Sequence, residues 1–335
     1  MKSTFTGLDL GTDEFAEELQ RALQRVEDLL ISELSSGDDI LLEAATHLAK
    51  AGGKRFRPMF AILASHFGPN PASDEVITSA TVLEMTHLAT LYHDDVMDEA
   101  ETRRGVETVN ARWGNLQAIL AGDFLLARAS EIAASLGTEV AGLLARTIGW
   151  LCEGQIEELR HTYDVGRTES SYLASIHGKT ASLYGTAARI GGLVAELDRA
   201  TIDAATEYGN AFGMVFQIVD DVLDLTATAD QLGKPVGHDL QEGVYTLPVL
   251  HTLAAGGAAA GELGDLLGRP LDAVERDKAL AIVRSNGGVE SAMTTARRYV
   301  QEAESICGAL PPGEIADALR AAPSALLDTA LTAAG

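Results

Sequence analysis

Apolar residues recur three and four apart along most of this 335-residue chain, and that period constrains the fold more than any other feature. Over residues 12–34 they fall at Phe15, Leu19, Leu23, Val26, Leu29 and Leu30, one buried stripe of a helix. The same period predicts helices over 40–51, 59–67, 76–96, 116–136, 140–159, 172–197 and 202–225. Runs of alternating β-branched residues are nearly absent, so the expected class is all-α, a bundle of many helices. Segments 180–197 and 204–222 are apolar or small on nearly every side, as expected for helices in the middle of a large bundle. The breaks carry Gly, Pro, Asn or Asp, as at Gly68-Pro69-Asn70-Pro71 and Leu310-Pro311-Pro312-Gly313, and none is long enough to be a linker. A length prior of roughly 150 residues per domain suggests two domains. The short breaks favour one, residues 1–335.

The chain carries 25 Lys and Arg against 49 Asp and Glu, a formal net charge of −24. Nucleic-acid affinity rests on Lys and Arg displacing counterions from phosphates, so nucleic acid and anionic membrane surfaces are not expected partners. Cys152 and Cys307 are too few for a disulfide framework and too far apart for a zinc knuckle, which fits a reducing, cytoplasmic setting. No apolar run reaches the ~18 residues of a membrane span, and residues 1–11 lack a signal-peptide pattern.

Two aspartate clusters stand out. In His93-Asp94-Asp95-Val96-Met97-Asp98, Asp94 and Asp98 are one helical turn apart and share a face that runs back through Thr90 or Leu91 to His87. Gln217, Asp220, Asp221 and Asp224 form a second stripe at i, i+3, i+4 and i+7. Like charges so placed repel. The bland reading is two solvated faces in an acidic chain. Against it, each cluster directly follows an apolar helix, and basic residues beside Gly come within about ten residues of each. Carboxylates without nearby Cys suit Mg²⁺, which typically takes one or two protein carboxylates plus substrate phosphates. Two such stripes on facing helices could clamp a diphosphate through several Mg²⁺ ions.

Only six residues are Lys, and Lys54, Lys179 and Lys234 lie in short motifs. Gly52-Gly53-Lys54-Arg55-Phe56-Arg57-Pro58 places three cations after a glycine pair at the start of a helix, without Walker spacing. Arg103-Arg104-Gly105 and Gly178-Lys179-Thr180 are smaller basic points. Each alone reads as a solvated helix end. Together, Lys54, Arg57, Arg103, Arg104, Lys179 and Lys234 supply charge for two diphosphates, one on metals and one on the cations. A two-substrate reaction is the chemistry this pattern suggests.

These motifs, in this order over about residues 50–250, resemble those of the trans-isoprenyl (E-polyprenyl) diphosphate synthases. The resemblance implies an all-α fold around a central cavity, normally homodimeric, and head-to-tail condensation of an allylic diphosphate with isopentenyl diphosphate. By position, Asp94, Asp98 and Asp220 would bind Mg²⁺, with Asp95, Asp221 and Asp224 in or behind that set. Arg103, Lys179 and Lys234 would contact the allylic diphosphate, with Gln217 and Thr180 lining its pocket. Gly53, Lys54, Arg57, His87 and Arg104 would hold isopentenyl diphosphate. Ionisation of the neutralised diphosphate, attack by the isopentenyl double bond and proton loss to the departing diphosphate need no Ser, His or Asp triad.

The resemblance also implies that Ala89 and Thr90, five and four residues before Asp94, lie beneath the carboxylates where the growing chain passes. Short-chain members place an aromatic floor there; the small residues here imply a product of C30 or above, of the kind used for quinone side chains. Tyr92 faces elsewhere and reads as a packing residue. Two departures affect rate and closure rather than reaction class: Val244 stands where relatives often carry Lys, and no basic residue follows Arg320. The alternatives are a C15 or C20 synthase, a terpene cyclase and a non-catalytic partner subunit. A cyclase would not need Lys54, Arg57 and Arg104, and a partner subunit would be expected to lose aspartates or cations.

Overall fold

A computed structural model describes residues 4–5, 8–9, 12–34, 38–227 and 236–334. Its helices are α1 (Asp13–Glu33), α2 (Asp39–Lys50), α3 (Phe56–Ser65), α4 (Asp74–Met97), α5 (Val109–Trp113), α6 (Asn115–Ser135), α7 (Thr138–Arg160) and α8 (Glu169–Ile176). After a π-helical turn, His177–Ala181, come α9 (Ser182–Val194), α10 (Arg199–Thr226), α11 (His238–Gln241), α12 (Leu247–Ala254), α13 (Gly257–Leu266), α14 (Ala273–Ser285), α15 (Gly288–Ile306) and α16 (Glu314–Ala334). Strand pairing among the described residues is confined to two short antiparallel pairs, β1 (Thr4–Phe5) with β2 (Leu8–Asp9), and β3 (Thr102–Arg103) with β4 (Val106–Glu107). The all-α expectation therefore holds. No helix among the described residues is long and apolar enough to cross a membrane.

The chain forms two compact units, neither continuous in sequence. The first comprises Met1–Ile148, Leu183–Gly209 and Ala309–Ala316. Within it α4 packs against α1, α3, α5 and α6, and almost every residue from Val76 to Ala89 is buried. Local chemistry fixes where these helices begin: the side chains of Thr12, Asp38 and Ser73 accept hydrogen bonds from the amides of Phe15, Leu41 and Val76, satisfying donors that lack an intrahelical partner. The second unit comprises Gly149–Ser182, Asn210–Gly308 and Asp317–Gly335. Its core joins Tyr172 and Ile176 of α8 to Val215, Ile218, Val219 and Val222 of α10, with Leu247, Leu250, Val283, Met293 and Val300.

One expected helix is not a single α-helix. Over 172–197 the π-helical turn intervenes, and the amide of Ser182 donates to the carbonyl of His177, five residues back. The wider turn accompanies a close approach to α7: a Cβ at Gly154 would collide with the amide nitrogen of Lys179, and one at Gly178 would lie 2.8 Å from the carbonyl oxygen of Trp150.

Tyr92 is a packing residue, as expected. Fully buried, it donates from its hydroxyl to the carbonyl of Ala44 at 2.8 Å and accepts from the amide of Leu48 at 3.2 Å, pinning α4 to one turn of α2. Tyr92→Phe removes that hydroxyl and is expected to cost about 1–3 kcal/mol, because the groups it served stay buried. Chemical denaturation of the two proteins measures the difference.

Candidate active site

Both aspartate clusters lie at the C-terminal ends of helices, where the aligned peptide dipoles disfavour negative charge. In α4, Asp94 is in the last turn and Asp98 is the C-cap, its amide donating to the carbonyl of Asp94 at 2.8 Å. In α10, Asp224 is in the last turn and Asp220 and Asp221 in the turn before, and neither helix has a basic residue in its last turn. Accessibility divides each cluster. Asp94 is half-buried and Asp98 and Asp220 exposed, whereas Asp95, Asp221 and Asp224 are buried. The three expected metal ligands are thus the accessible ones in their own units.

Asp95 holds Arg103. Its Oδ1 accepts from Arg103 Nε, while the buried Oδ2 has no hydrogen-bond partner. Burial pushes the Asp95 carboxyl up, and the Arg103 guanidinium pulls the other way. Arg103 and Arg104 share the β3–β4 hairpin, in which Thr102 opposes Glu107 and Arg103 opposes Val106. The two central residues, Arg104 and Gly105, have φ of 54° and 76°, both positive as a type I′ turn requires. Consecutive arginines thereby reach different partners. Arg104 turns to the glycine pair, donating to the carbonyl of Gly52 and, at 3.4 Å, to that of Leu48. A Cβ at Gly53 would lie 2.9 Å from the Arg104 guanidinium carbon, so a larger residue there would displace the end of that side chain.

The cations of the glycine motif have separate fates. Lys54 is exposed. Arg57, in the first turn of α3, lies over the Tyr184 ring at 4.9 Å. Arg55 is buried: Nε and Nη2 grip the Glu27 carboxylate, Nη1 donates to Glu84, and Nη2 also donates to the carbonyl of Ala49 at 3.0 Å. His87, one turn beyond Glu84 on α4, is held well below its ordinary pKa by burial and by Arg57, Arg104, Arg103 and Arg55. Its ring is neutral at physiological pH and offers one donor and one acceptor. Gly53, Lys54, Arg57, His87, Arg103 and Arg104 thus lie in the first unit with Asp94, Asp95 and Asp98. Ala89 is fully buried, while Thr90 is partly accessible and donates to the carbonyl of His87 at 2.7 Å.

In the second unit, Lys179 stands in the π-helical turn and pairs with Glu158 of α7 at 2.6 Å. Thr180 donates to Gln217 at 2.8 Å, Gln217 donates to Asp221 at 2.7 Å, and the Tyr172 hydroxyl donates to the other Asp221 oxygen at 2.6 Å. Burial pushes Asp221 up to about 7, against the two hydrogen bonds that favour its charged form. Asp224 accepts from the amide of Asp239 at 3.4 Å. Lys234 lies outside the described residues.

Sequence reasoning missed Glu84, Glu27, Tyr172 and Glu158. Glu84 did carry a signal, as the one residue among Asp, Glu, Lys and Arg between Glu75 and Asp94. Among the described residues no group of three or more His, Cys, Asp or Glu is arranged to hold a metal alone. The all-oxygen donor set and the unused Asp95 oxygen fit Mg²⁺, which needs only one or two protein carboxylates when phosphates supply further ligands.

The chain is similar over 325 residues to nonaprenyl diphosphate synthase of Mycobacterium tuberculosis, at 41% identity covering 96% of this chain and 95% of that protein. It is 35% identical over 318 residues to octaprenyl diphosphate synthase of Haemophilus influenzae, covering 92% and 94%. Among solved structures, geranylgeranyl pyrophosphate synthase from Corynebacterium glutamicum, complexed with calcium and isoprenyl diphosphate, superposes with a TM-score of 0.84 at 42% identity, covering 95% and 98%. A decaprenyl diphosphate synthase from Rhodobacter capsulatus gives 0.87 at 30% identity over the same shares. The polyprenyl synthetase family model matches residues 38–283, which takes in both aspartate clusters and every basic motif, and the chain belongs to that family.

Proposed function

We propose that this protein is a Mg²⁺-dependent prenyltransferase that condenses an allylic diphosphate with isopentenyl diphosphate to a long all-trans polyprenyl diphosphate, C30 or above. The observation that carries this reading is the placement of two aspartate clusters at helix C-termini, where they oppose the helix dipole at a cost of about 0.3–1 kcal/mol per charge in the last turn. A cation bound to Asp94 and Asp98, or to Asp220, offsets that cost.

Bound Mg²⁺ supplies positive charge that stabilises the departing diphosphate. By motif position we assign Arg103 and Lys179 to the allylic diphosphate, and each would have to leave a carboxylate partner, Asp95 or Glu158. Lys54, Arg57, Arg104 and neutral His87 hold the isopentenyl diphosphate, with Gly53 permitting the approach of Arg104. Cleavage of the allylic C–O bond leaves a cation that the isopentenyl double bond attacks. The proton then lost passes to the released diphosphate. We assign the same role to Lys234 as to Arg103 by motif position.

The chain is read as one synthase domain because the family match runs through residues of both units. A homodimer is supported by Leu116, Ile119 and Leu120 of α6, which stand 74%, 40% and 62% exposed. A cytoplasmic setting rests on the free cysteines. For product length, Thr90 is the better candidate, being accessible one turn before Asp94, while Ala89 is wholly buried. A C20 product is the second reading, favoured by the geranylgeranyl synthase similarity at 42% identity.

Incubation of the purified protein with Mg²⁺, farnesyl or geranylgeranyl diphosphate and labelled isopentenyl diphosphate is expected to give labelled product of C30 or above by chromatography. No incorporation overturns the reaction, and a C15 or C20 end product overturns the length. Thr90→Phe is expected to shorten the product in the same assay. Asp94→Ala should lower kcat by about a thousandfold, with unchanged circular dichroism showing that the fold survives.

A further inference from the structure

We propose that Arg55 and Glu84 are positioning residues for isopentenyl diphosphate. They bind none of it themselves but hold the motif that presents Lys54 and Arg57 and the guanidinium of Arg104. The inference rests on the condensation reaction proposed above.

Arg55 sits between two cations assigned to the substrate, yet its side chain is only 5% exposed and its donors are engaged. Two face Glu27 as a fork, one faces Glu84, and one is shared with the carbonyl of Ala49. Four of its five N–H groups are engaged and the side chain is buried, so it does not face a diphosphate. What it sets is the backbone. At φ 49° and ψ 34° Arg55 occupies the left-handed region that residues with a Cβ avoid, and no side chain caps the helix it opens. That turn leaves Lys54 exposed and starts α3 so that Arg57 falls in the first helical turn. The bonds to Glu27 and Glu84 hold the turn in a conformation it would not adopt alone.

Glu84 joins this turn to the rest of the basic group. Glu84 is 1% exposed, and its carboxylate is bonded to Arg55 and 3.9 Å from Arg104 Nη2. One turn further along α4 is His87. The Arg104 guanidinium is thus held between Glu84 and the carbonyls of Gly52 and Leu48. Buried ion pairs are poor stabilisers, because desolvation offsets their attraction, and apolar residues of similar volume would pack as well. Their distinguishing contribution here is geometric: one carboxylate fixes Arg55 and faces Arg104.

The test compares KM for the two substrates in the full-length enzyme. Arg55→Gln and Glu84→Gln are each expected to raise KM for isopentenyl diphosphate about tenfold while KM for the allylic diphosphate stays within about twofold. A merely structural role would move both together. Parallel increases, or no change in folded variants, overturn the proposal. Should the buried variants fail to fold, Glu27→Gln, whose side chain is 30% exposed, is expected to raise the isopentenyl KM about threefold alone, and a parallel or absent effect there also overturns it. A wild-type enzyme that incorporates no isopentenyl diphosphate defeats the proposed function instead, which keeps the two failures apart.

Discussion

Cations brought close enough to grip a diphosphate repel one another whenever it is absent, and the basic motifs of this chain are built around that repulsion. Arg55, Arg57, Arg103 and Arg104 lie near enough together to depress the pKa of His87 jointly. Three of the four meet internal oxygen: Arg55 on Glu27 and Glu84, Arg103 on Asp95, Arg104 on the carbonyls of Gly52 and Leu48. Arg57 rests on the Tyr184 ring. In the second unit Lys179 is paired in the same way with Glu158. Partners of this kind let a locally basic group exist without ligand in a chain whose net charge is −24.

The aspartate clusters face the converse problem. Carboxylates at helix C-termini are disfavoured by the dipole, and the chain places no Lys, Arg or His in the last turn of α4 or α10 to relieve it. The buried members are instead held by fixed donors, Arg103 for Asp95, Tyr172 and Gln217 for Asp221. Asp94, Asp98 and Asp220 are more accessible than these buried members. Such sites trade stability for function, which is where local rules of sequence are expected to break.

Helical periodicity carried the helices because burial on one face imposes it, and α1, α2, α4, α6, α7 and α10 fall within a few residues of the expected ranges. The motif residues were legible because charge beside glycine is rare in an apolar chain. Three things were not legible. The β3–β4 hairpin is too short for strand periodicity, and Arg104 at positive φ gives no warning in a sequence that places only Gly105 there. The π-helical turn arises from the packing of Gly154 and Gly178, which are distant in sequence. Arg55 was counted among the three cations after the glycine pair and left out of the diphosphate contacts, but its own role was not legible, because the groups that hold it, Glu27 and Glu84, lie on other helices.

Arg103 and Arg104 are adjacent residues assigned to different substrates, and successive Cα atoms are about 3.8 Å apart. With no residue between them their backbones are held together covalently, and the separation of the two guanidiniums is set by their different partners, Asp95 for Arg103 and Glu84 with the carbonyls of Gly52 and Leu48 for Arg104.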